Sequence, residues 1–407
     1  MKHCLYLSYD GLTDFLGQSQ VLPYILGLEK SGYTYTIISF EKPDKFQKDE
    51  VRIRTLIQGK NIQWIPLTYH KKFSILATLY DVFCGLSKVN SIHKTHPIDL
   101  IHSRSYIATL IAWLFYKSSQ TPFIFDMRGF WADERVEGGI WNLKNPVFNI
   151  TYKLFKSLEA KYIRDAAAII SLTHNGVEEM LRWKIRSKES FQVIPCCADL
   201  SLFNKDTLQP ATLESLKNKI NINSNQQVVL YLGSVGTWYL LDEMLDFFKA
   251  YDQRNPNALF LFVTGDDPEF IYTAAEQKNI HRDKLRIVSA SKPEVPYYIS
   301  CANLSILFIK PSFSKKASSP TKLPEILAME VPVICNDLIG DMTQQVKECN
   351  GGLIISTFND STYNDALDKL SRQNIDHEHL HAYLNTHFAL DMGVAKYKEV
   401  YQKILGQ

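Results

Sequence analysis

With 407 residues, 45% of them hydrophobic and 22% charged, the chain is long enough for two or three domains that each bury a core. A formal net charge of +2 excludes the strong basic excess of a typical nucleic-acid binder. Seven cysteines, an odd number with no C-x-x-C spacing, argue against a disulfide framework or a zinc site and for a reducing, cytoplasmic compartment.

Short β-rich apolar runs alternate with longer helical patterns, the mark of parallel βαβ units. Strands are predicted over residues 4–8, 35–40, 61–66, 100–103, 123–126, 167–172 and 191–195. Helices are predicted between them, over 20–31, 75–95, 106–117, 146–166 and 176–183. After a polar stretch, 204–227, a second series begins. Its strands are expected at 228–233, 259–265, 285–288, 304–309, 333–336 and 352–355, and its helices at 240–251, 269–278, 295–302 and 323–329. A last amphipathic helix over 391–405 carries Val394, Tyr397, Val400, Tyr401, Ile404 and Leu405 on one stripe. No run approaches the ~20 apolar residues needed to span a bilayer, and the start is too briefly apolar for a signal peptide. The expected fold class is α/β: two Rossmann-like doubly wound domains facing an interdomain cleft, with ligands at the carboxyl ends of the strands.

The most informative segment runs from Ser318 to Asn336, through Ser319, Pro320, Thr321, Lys322, Leu323, Pro324 and Glu325, and reads as loop, helix and strand. Pro324 has no N–H and fits only the first helical turn, so the helix begins near Thr321, a plausible N-cap. Backbone N–H groups at that start, with Lys322 beside them, make an anion site suited to a diphosphate. Glu325 lies one turn in. It suits capping of the helix dipole and binding of ribose hydroxyls about equally.

That segment resembles the donor-site helix of glycosyltransferase family 4, the group 1 transferases of the GT-B fold. Three other segments resemble the same family in its order: 16–24 (Leu-Gly-Gln-Ser-Gln-Val-Leu-Pro-Tyr), 191–203, and 231–244 (Tyr-Leu-Gly-Ser-Val-Gly-Thr-Trp-Tyr-Leu-Leu-Asp-Glu-Met). The resemblance implies an acceptor domain over 1–203, a donor domain over 204–385, and a C-terminal helix over 386–407 that crosses back to the first. It implies a retaining transferase with no cofactor and no required metal. The enzyme would move a sugar from a UDP- or GDP-linked donor to a hydroxyl of a glycan or lipid-linked glycan, as in bacterial polysaccharide, lipopolysaccharide or capsule assembly. Such work would be done in the cytoplasm or at the inner face of the cell membrane. The alternatives of the same architecture are a sugar-nucleotide epimerase and a non-catalytic nucleotide- or carbohydrate-binding subunit.

By that resemblance Gly233, Ser234, Ser319, Thr321, Lys322 and Glu325 bind the donor, and Glu325 holds its ribose. The family usually carries two glutamates eight residues apart here. Glu325 matches the second, and Ala317 stands where the first would be. The family's Arg and Lys on the preceding loop fall on Ser234 and Tyr239, which leaves Lys322, with Lys310 or Lys315, to neutralise the diphosphate. In the first domain His102, Ser103 and Arg104 end one predicted strand, and Asp126, Arg128, Asp133, Glu134 and Arg135 follow the next. Asp133–Arg135 reads best as a surface salt-bridge loop. Arg128 stands near the family's usual site histidine and suits an acceptor hydroxyl, phosphate or carboxylate. Lys322, Glu325, Arg128 and Asp126 are therefore the expected catalytic set, with Gly17, Gln18, Ser19, Arg104 and Arg128 on the acceptor. Asp266 and Asp267 read as a turn and N-cap rather than a metal pair. Cys196 and Cys197 read as buried small residues. The basic stretch 153–164 suits a solvated face or, less commonly, contact with anionic lipid.

Overall fold

The computed structural model describes residues 1–71 and 74–406; Gln407, the end of the expected segment 386–407, lies outside them. The chain divides into two compact units. The first comprises Met1–Cys196 together with two later stretches, Phe313–Ser318 and Leu390–Gln407; the second comprises Cys197–Ser312 and Ser319–Ala389.

The first unit holds strands β1 (Lys2–Ser8), β2 (Tyr33–Glu41), β3 (Ile62–Thr68), β4 (Leu100–Arg104), β5 (Phe123–Asp126), β6 (Ala168–Ser171) and β7 (Phe191–Val193). All pair in parallel, in the order β3-β2-β1-β4-β5-β6-β7. The order reverses between β1 and β4, so the loops after those strands part and leave room for ligands. Ser8 pairs with Arg104 and Arg104 with Asp126, which brings the carboxyl ends of three strands level. Helices Ser74–Thr95, Ser105–Ser119 and Pro146–Asp165 form one outer layer, the middle one touching both neighbours. Helices Leu22–Glu29 and Leu390–Leu405 pack together in the same unit, where Tyr24, Tyr33, Tyr35, Tyr397 and Tyr401 form an aromatic cluster.

The second unit repeats the plan with β8 (Gln227–Leu232), β9 (Ala258–Val263), β10 (Leu285–Val288), β11 (Leu304–Leu307), β12 (Val333–Asn336) and β13 (Gly352–Ile355). Its order is β10-β9-β8-β11-β12-β13, reversing at β8/β11. Along β8, Val228, Leu230 and Leu232 enter the core on one face, and Val229 and Tyr231 the core on the other. That is why the strand reads as an unbroken apolar run, as in sheets covered on both sides.

Two sequence expectations change. The helix predicted over 20–31 is two helices, Phe15–Gln20 and Leu22–Glu29, broken at Val21 (φ −123°, ψ −64°) with Pro23 opening the second. The polar stretch 204–227 contains a helix, Pro210–Lys219. No helix among the described residues is long and apolar enough to cross a membrane.

Candidate active site

In the second unit the loop after β8 is pinned on three sides. Gly233 N–H donates to Val263 O (2.9 Å), Tyr231 Oη donates to Ser234 O (2.5 Å), and Val235 N–H donates to Asp266 Oδ2 (2.5 Å). Asp267 caps the next helix by accepting from Glu269 N (3.0 Å). The pair Asp266–Asp267 thus splits its duties, and the loop-holding role of Asp266 is one that sequence reasoning missed. The loop then folds back on the end of β11: Leu240 N–H donates to Phe308 O, and Lys310 N–H to Trp238 O. Asn336 fixes that strand end, exchanging hydrogen bonds with Ile309 N (2.7 Å) and O (2.9 Å).

Into this frame the helix Lys322–Ala328 sends Lys322. Its Nζ lies 4.0 Å from the centre of the Tyr239 ring and 5.2 Å from that of Tyr231. A Cβ at position 233 would overlap it, so glycine there makes the room, in a left-handed backbone (φ +120°). The ammonium is shut off from solvent and has no hydrogen-bond partner among the described residues. Burial pulls its pKa down to about 7, against the pull of Glu325 and Asp266. Thr321 stands at the N-cap position but makes no side-chain cap bond. The helix is seven residues long, and Pro324 offers no N–H, so the lysine outweighs the helix start as an anion partner.

Glu325 is buried one turn further on, ion-paired through Oε1 with Lys292. Burial raises its pKa, and Lys292 and then Lys322 work to lower it. Lys292 carries no sequence signal, being a lone lysine in a turn between a strand and a short helix. Lys315, one of the expected spare cations, is taken by Glu134 at 2.7 Å within the first unit.

In the first unit, Asp126 closes β5 with its side chain buried. Oδ2 accepts from Tyr397 Oη (3.0 Å) and faces His102 Nε2 (3.3 Å); Oδ1 faces Arg128 Nη1 at 3.7 Å. His102 Nδ1 meets Tyr401 Oη at 2.7 Å. Burial pushes the Asp126 carboxyl upward, but Arg128, His102 and Arg104 outweigh it and hold it below the usual range. Arg128 adopts φ +59° at the turn, and its Nη2 reaches Cys196 Sγ (3.4 Å). Its charge is held by Asp126 against burial. Arg104 pairs with Asp10, on the loop after β1.

Gly17 and Gln18 lie on the helix Phe15–Gln20, where a Cβ on Gly17 would overlap the Gly11 carbonyl. Ser19 Oγ donates to Phe15 O (2.8 Å) and Gln18 Nε2 to Thr13 O (3.0 Å), while Gln18 Oε1 accepts from Arg52 on helix Pro43–Ile57, so both side chains are engaged within the unit. Beneath it, buried Glu41 accepts from Leu12 N (2.7 Å), Thr13 N (3.2 Å) and Ser39 Oγ (2.5 Å). Asp133–Arg135, expected as a surface salt-bridge loop, lies instead on the helix Trp131–Glu137, where Asp133 is buried and held by Tyr152 and Lys156, each at 2.8 Å.

Two parallel-sheet units, each with its strand order reversing at a switch point, define a doubly wound α/β protein. The chain belongs to the group 1 glycosyltransferases: residues 20–202 match the family model described as Glycosyltransferase Family 4, and residues 213–385 the one described as Glycosyl transferases group 1. It is 27% identical over 246 residues to a Bacillus subtilis (strain 168) protein named as the teichuronic acid biosynthesis glycosyltransferase TuaC. That match spans 60% of this chain and about half, 54%, of the relative's own length. In fold it is similar to sucrose-phosphate synthase from Thermosynechococcus elongatus (14% identity, TM-score 0.74, all of both chains). It is also similar to Anabaena HepE in complex with UDP and glucose (13% identity, TM-score 0.72, 99% of this chain and 100% of that one). The resemblance and the GT-B fold expected from sequence are borne out.

Proposed function

We propose that the protein transfers a sugar, with retention of configuration, from a UDP- or GDP-linked donor to a hydroxyl of a glycan or lipid-linked glycan. The observation that carries this reading is the Lys322 ammonium: buried, unpartnered and backed by Gly233. An isolated buried cation is costly unless an anion completes it. The donor diphosphate supplies that anion, and Lys322 stabilises the charge that develops as the nucleoside diphosphate leaves. Tyr239 stands where the family's loop lysine is expected, and Lys322 Nζ lies over its ring, so the helix supplies a cation on that side of the site. Glu325 takes the ribose hydroxyls through Oε2, which has no partner among the described residues. Gly233, Ser234, Ser319 and Thr321 complete the donor side with backbone groups and hydroxyls. Arg104 and Arg128 serve the acceptor. Asp126, enclosed by His102, Tyr397 and Arg128, is a positioning residue for Arg128. Gly17, Gln18 and Ser19 shape the loop that Glu41 anchors.

A panel of nucleoside diphosphates and their sugars, followed by thermal shift and donor hydrolysis, tests the reading. One nucleotide is expected to raise Tm and its sugar to be turned over, equally well in EDTA. The absence of any Tm response across the panel would overturn it. Proton NMR of the anomeric signal in the product checks retention.

Peripheral membrane contact is part of the same proposal. It is supported by the outer layer of the first unit, where Leu76 (68% exposed), Leu79 (55%), Tyr80 (54%) and Phe83 (68%) line one stripe of helix Ser74–Thr95. Val147, Ile150 and Leu154 line another on Pro146–Asp165, with exposed Lys153 on the same helix and exposed Lys144 just before its start. Apolar stripes flanked by lysine suit the surface of an anionic bilayer. Lys156 does not contribute, being turned toward Asp133 and Glu159. Glutamate at 76, 79 and 83 together is expected to cut co-sedimentation with phosphatidylglycerol vesicles about tenfold or more, with donor hydrolysis intact. A wild-type protein that leaves such vesicles in the supernatant would refute this part.

A further inference from the structure

We propose that Lys292 is a positioning residue of the donor site, holding the Glu325 carboxylate ionised and turned so that Oε2 meets the ribose diol. The inference rests on the donor-site reading above. Lys292 opens the short 3-10 helix Lys292–Glu294 just before helix Val295–Ile299, with its ammonium 4.6 Å from the centre of the Phe203 ring and paired with Glu325 Oε1. The Lys292 side chain is partly exposed, and that of Glu325 nearly enclosed. The lysine therefore reaches inward to an acid that cannot reach outward. With Oε1 occupied, the carboxylate is fixed about its last torsion and presents a single oxygen, which neutral carboxyl groups and amides do less well.

The charged groups that face Glu325 are few: Lys292 from that 3-10 helix and Lys322 from one turn back on its own helix. Lys322 is in turn faced by Asp266, on the loop after β9. Without Lys292 the carboxylate would keep only Lys322, an ammonium that is itself near half-protonated at neutral pH and that the diphosphate engages when the donor binds. Burial then prevails and Glu325 takes up a proton. A protonated Glu325 would answer a ribose diol poorly, and raising the pH would restore it.

The test is the donor KM of Lys292→Met across pH 6.5–8.5, with Lys292→Arg and the double variant Lys292→Met/Glu325→Gln. Relative to wild type at the same pH, Lys292→Met is expected to raise the donor KM about tenfold at pH 7 with kcat changed little, and that ratio is expected to fall toward one by pH 8.5. Lys292→Arg is expected to stay within about twofold of wild type, and Lys292→Met to add nothing once Glu325 is glutamine. An unchanged KM in Lys292→Met, an unaltered pH profile, or an equal penalty in the Glu325→Gln background would overturn the role of Lys292. Lys322→Ala separates this from the underlying reading. If Lys322→Ala leaves donor kcat/KM unchanged, the donor site itself is misplaced. If it lowers kcat/KM while Lys292→Met leaves KM unchanged, only the role of Lys292 falls. Thermal melts of each variant show whether a loss of binding is a loss of fold.

Discussion

Lys322→Ala is expected to lower kcat/KM for the donor by about 10²–10³-fold. The same change is expected to leave the fold at least as stable as before. The two effects have one cause. In the free protein the Lys322 ammonium gives up its water and receives in return the faces of Tyr231 and Tyr239 and the attraction of Glu325 and Asp266, which burial outweighs. Removing it relieves an uncompensated desolvation. Lys322→Met, which keeps the volume, should show the gain in Tm most clearly. A structural lysine would behave in the opposite way, losing stability first and activity with it. The same residue sets a pH dependence. Its pKa is pulled down to about 7, so the cationic form that binds a diphosphate prevails below that value and declines above it. Donor KM in the wild type should therefore rise from pH 7 toward pH 9, and Lys322→Ala should abolish that rise. A donor KM flat across this range in the wild type would refute the assignment.

The second large effect is on folding. Asp126→Ala is expected to cost about 3–5 kcal/mol in urea denaturation, because it leaves Arg128 buried with its charge unmatched. It also strips Tyr397 and His102 of the acceptor they share, loosening the C-terminal helix from the first unit. Asp126→Asn, which keeps the shape and some hydrogen bonding, should cost less. The Asp126 carboxyl is held below its usual range in the fold, so its stabilisation is complete above the ordinary carboxylate pKa of about 3.9 and is lost as pH falls beneath it. Acid unfolding of Asp126→Asn should accordingly be less steep than that of the wild type. An Asp126→Ala protein as stable as its parent would show that Arg128 finds its charge partner elsewhere.

Strands were far more legible in the sequence than helices. Each of the thirteen predicted strands is present, with bounds that shift by a few residues at most, because buried parallel strands are short apolar runs set off by polar turns. Helices show only when they bury a stripe. Pro43–Ile57 buries just Ile53 and Ile57, and Pro210–Lys219 buries no residue, so neither carries a readable period. His377–His387 buries only Leu380 and Leu384. Within the candidate site, Lys322 was marked by its place beside a proline-bearing helix start, whereas Glu325 stood even between capping and ribose binding until the family resemblance favoured the ribose. Arg104, Asp126 and Arg128 were legible from their place at strand ends. Lys292, Glu41 and Asp266 were not, since each acts on residues distant in sequence. Tyr397 and Tyr401 appeared only as apolar stripe positions, and the hydroxyls that reach Asp126 and His102 were invisible to periodicity.

Residues Phe313–Ser318, though they fall within the sequence of the second unit, are built into the first. Phe313 and Ser314 N–H donate to Glu137, Lys316 pairs with Glu179, and Phe313 stacks on Phe130. Ala317 lies at the bottom of this strap, fully buried in the apolar core, where a Cβ on Gly176 would come within 3.0 Å of its methyl group. A glutamate at 317 would have to be buried there without a partner or pull the strap free. An acid at 317 therefore cannot be added as a single change; the strap would have to be rebuilt around it.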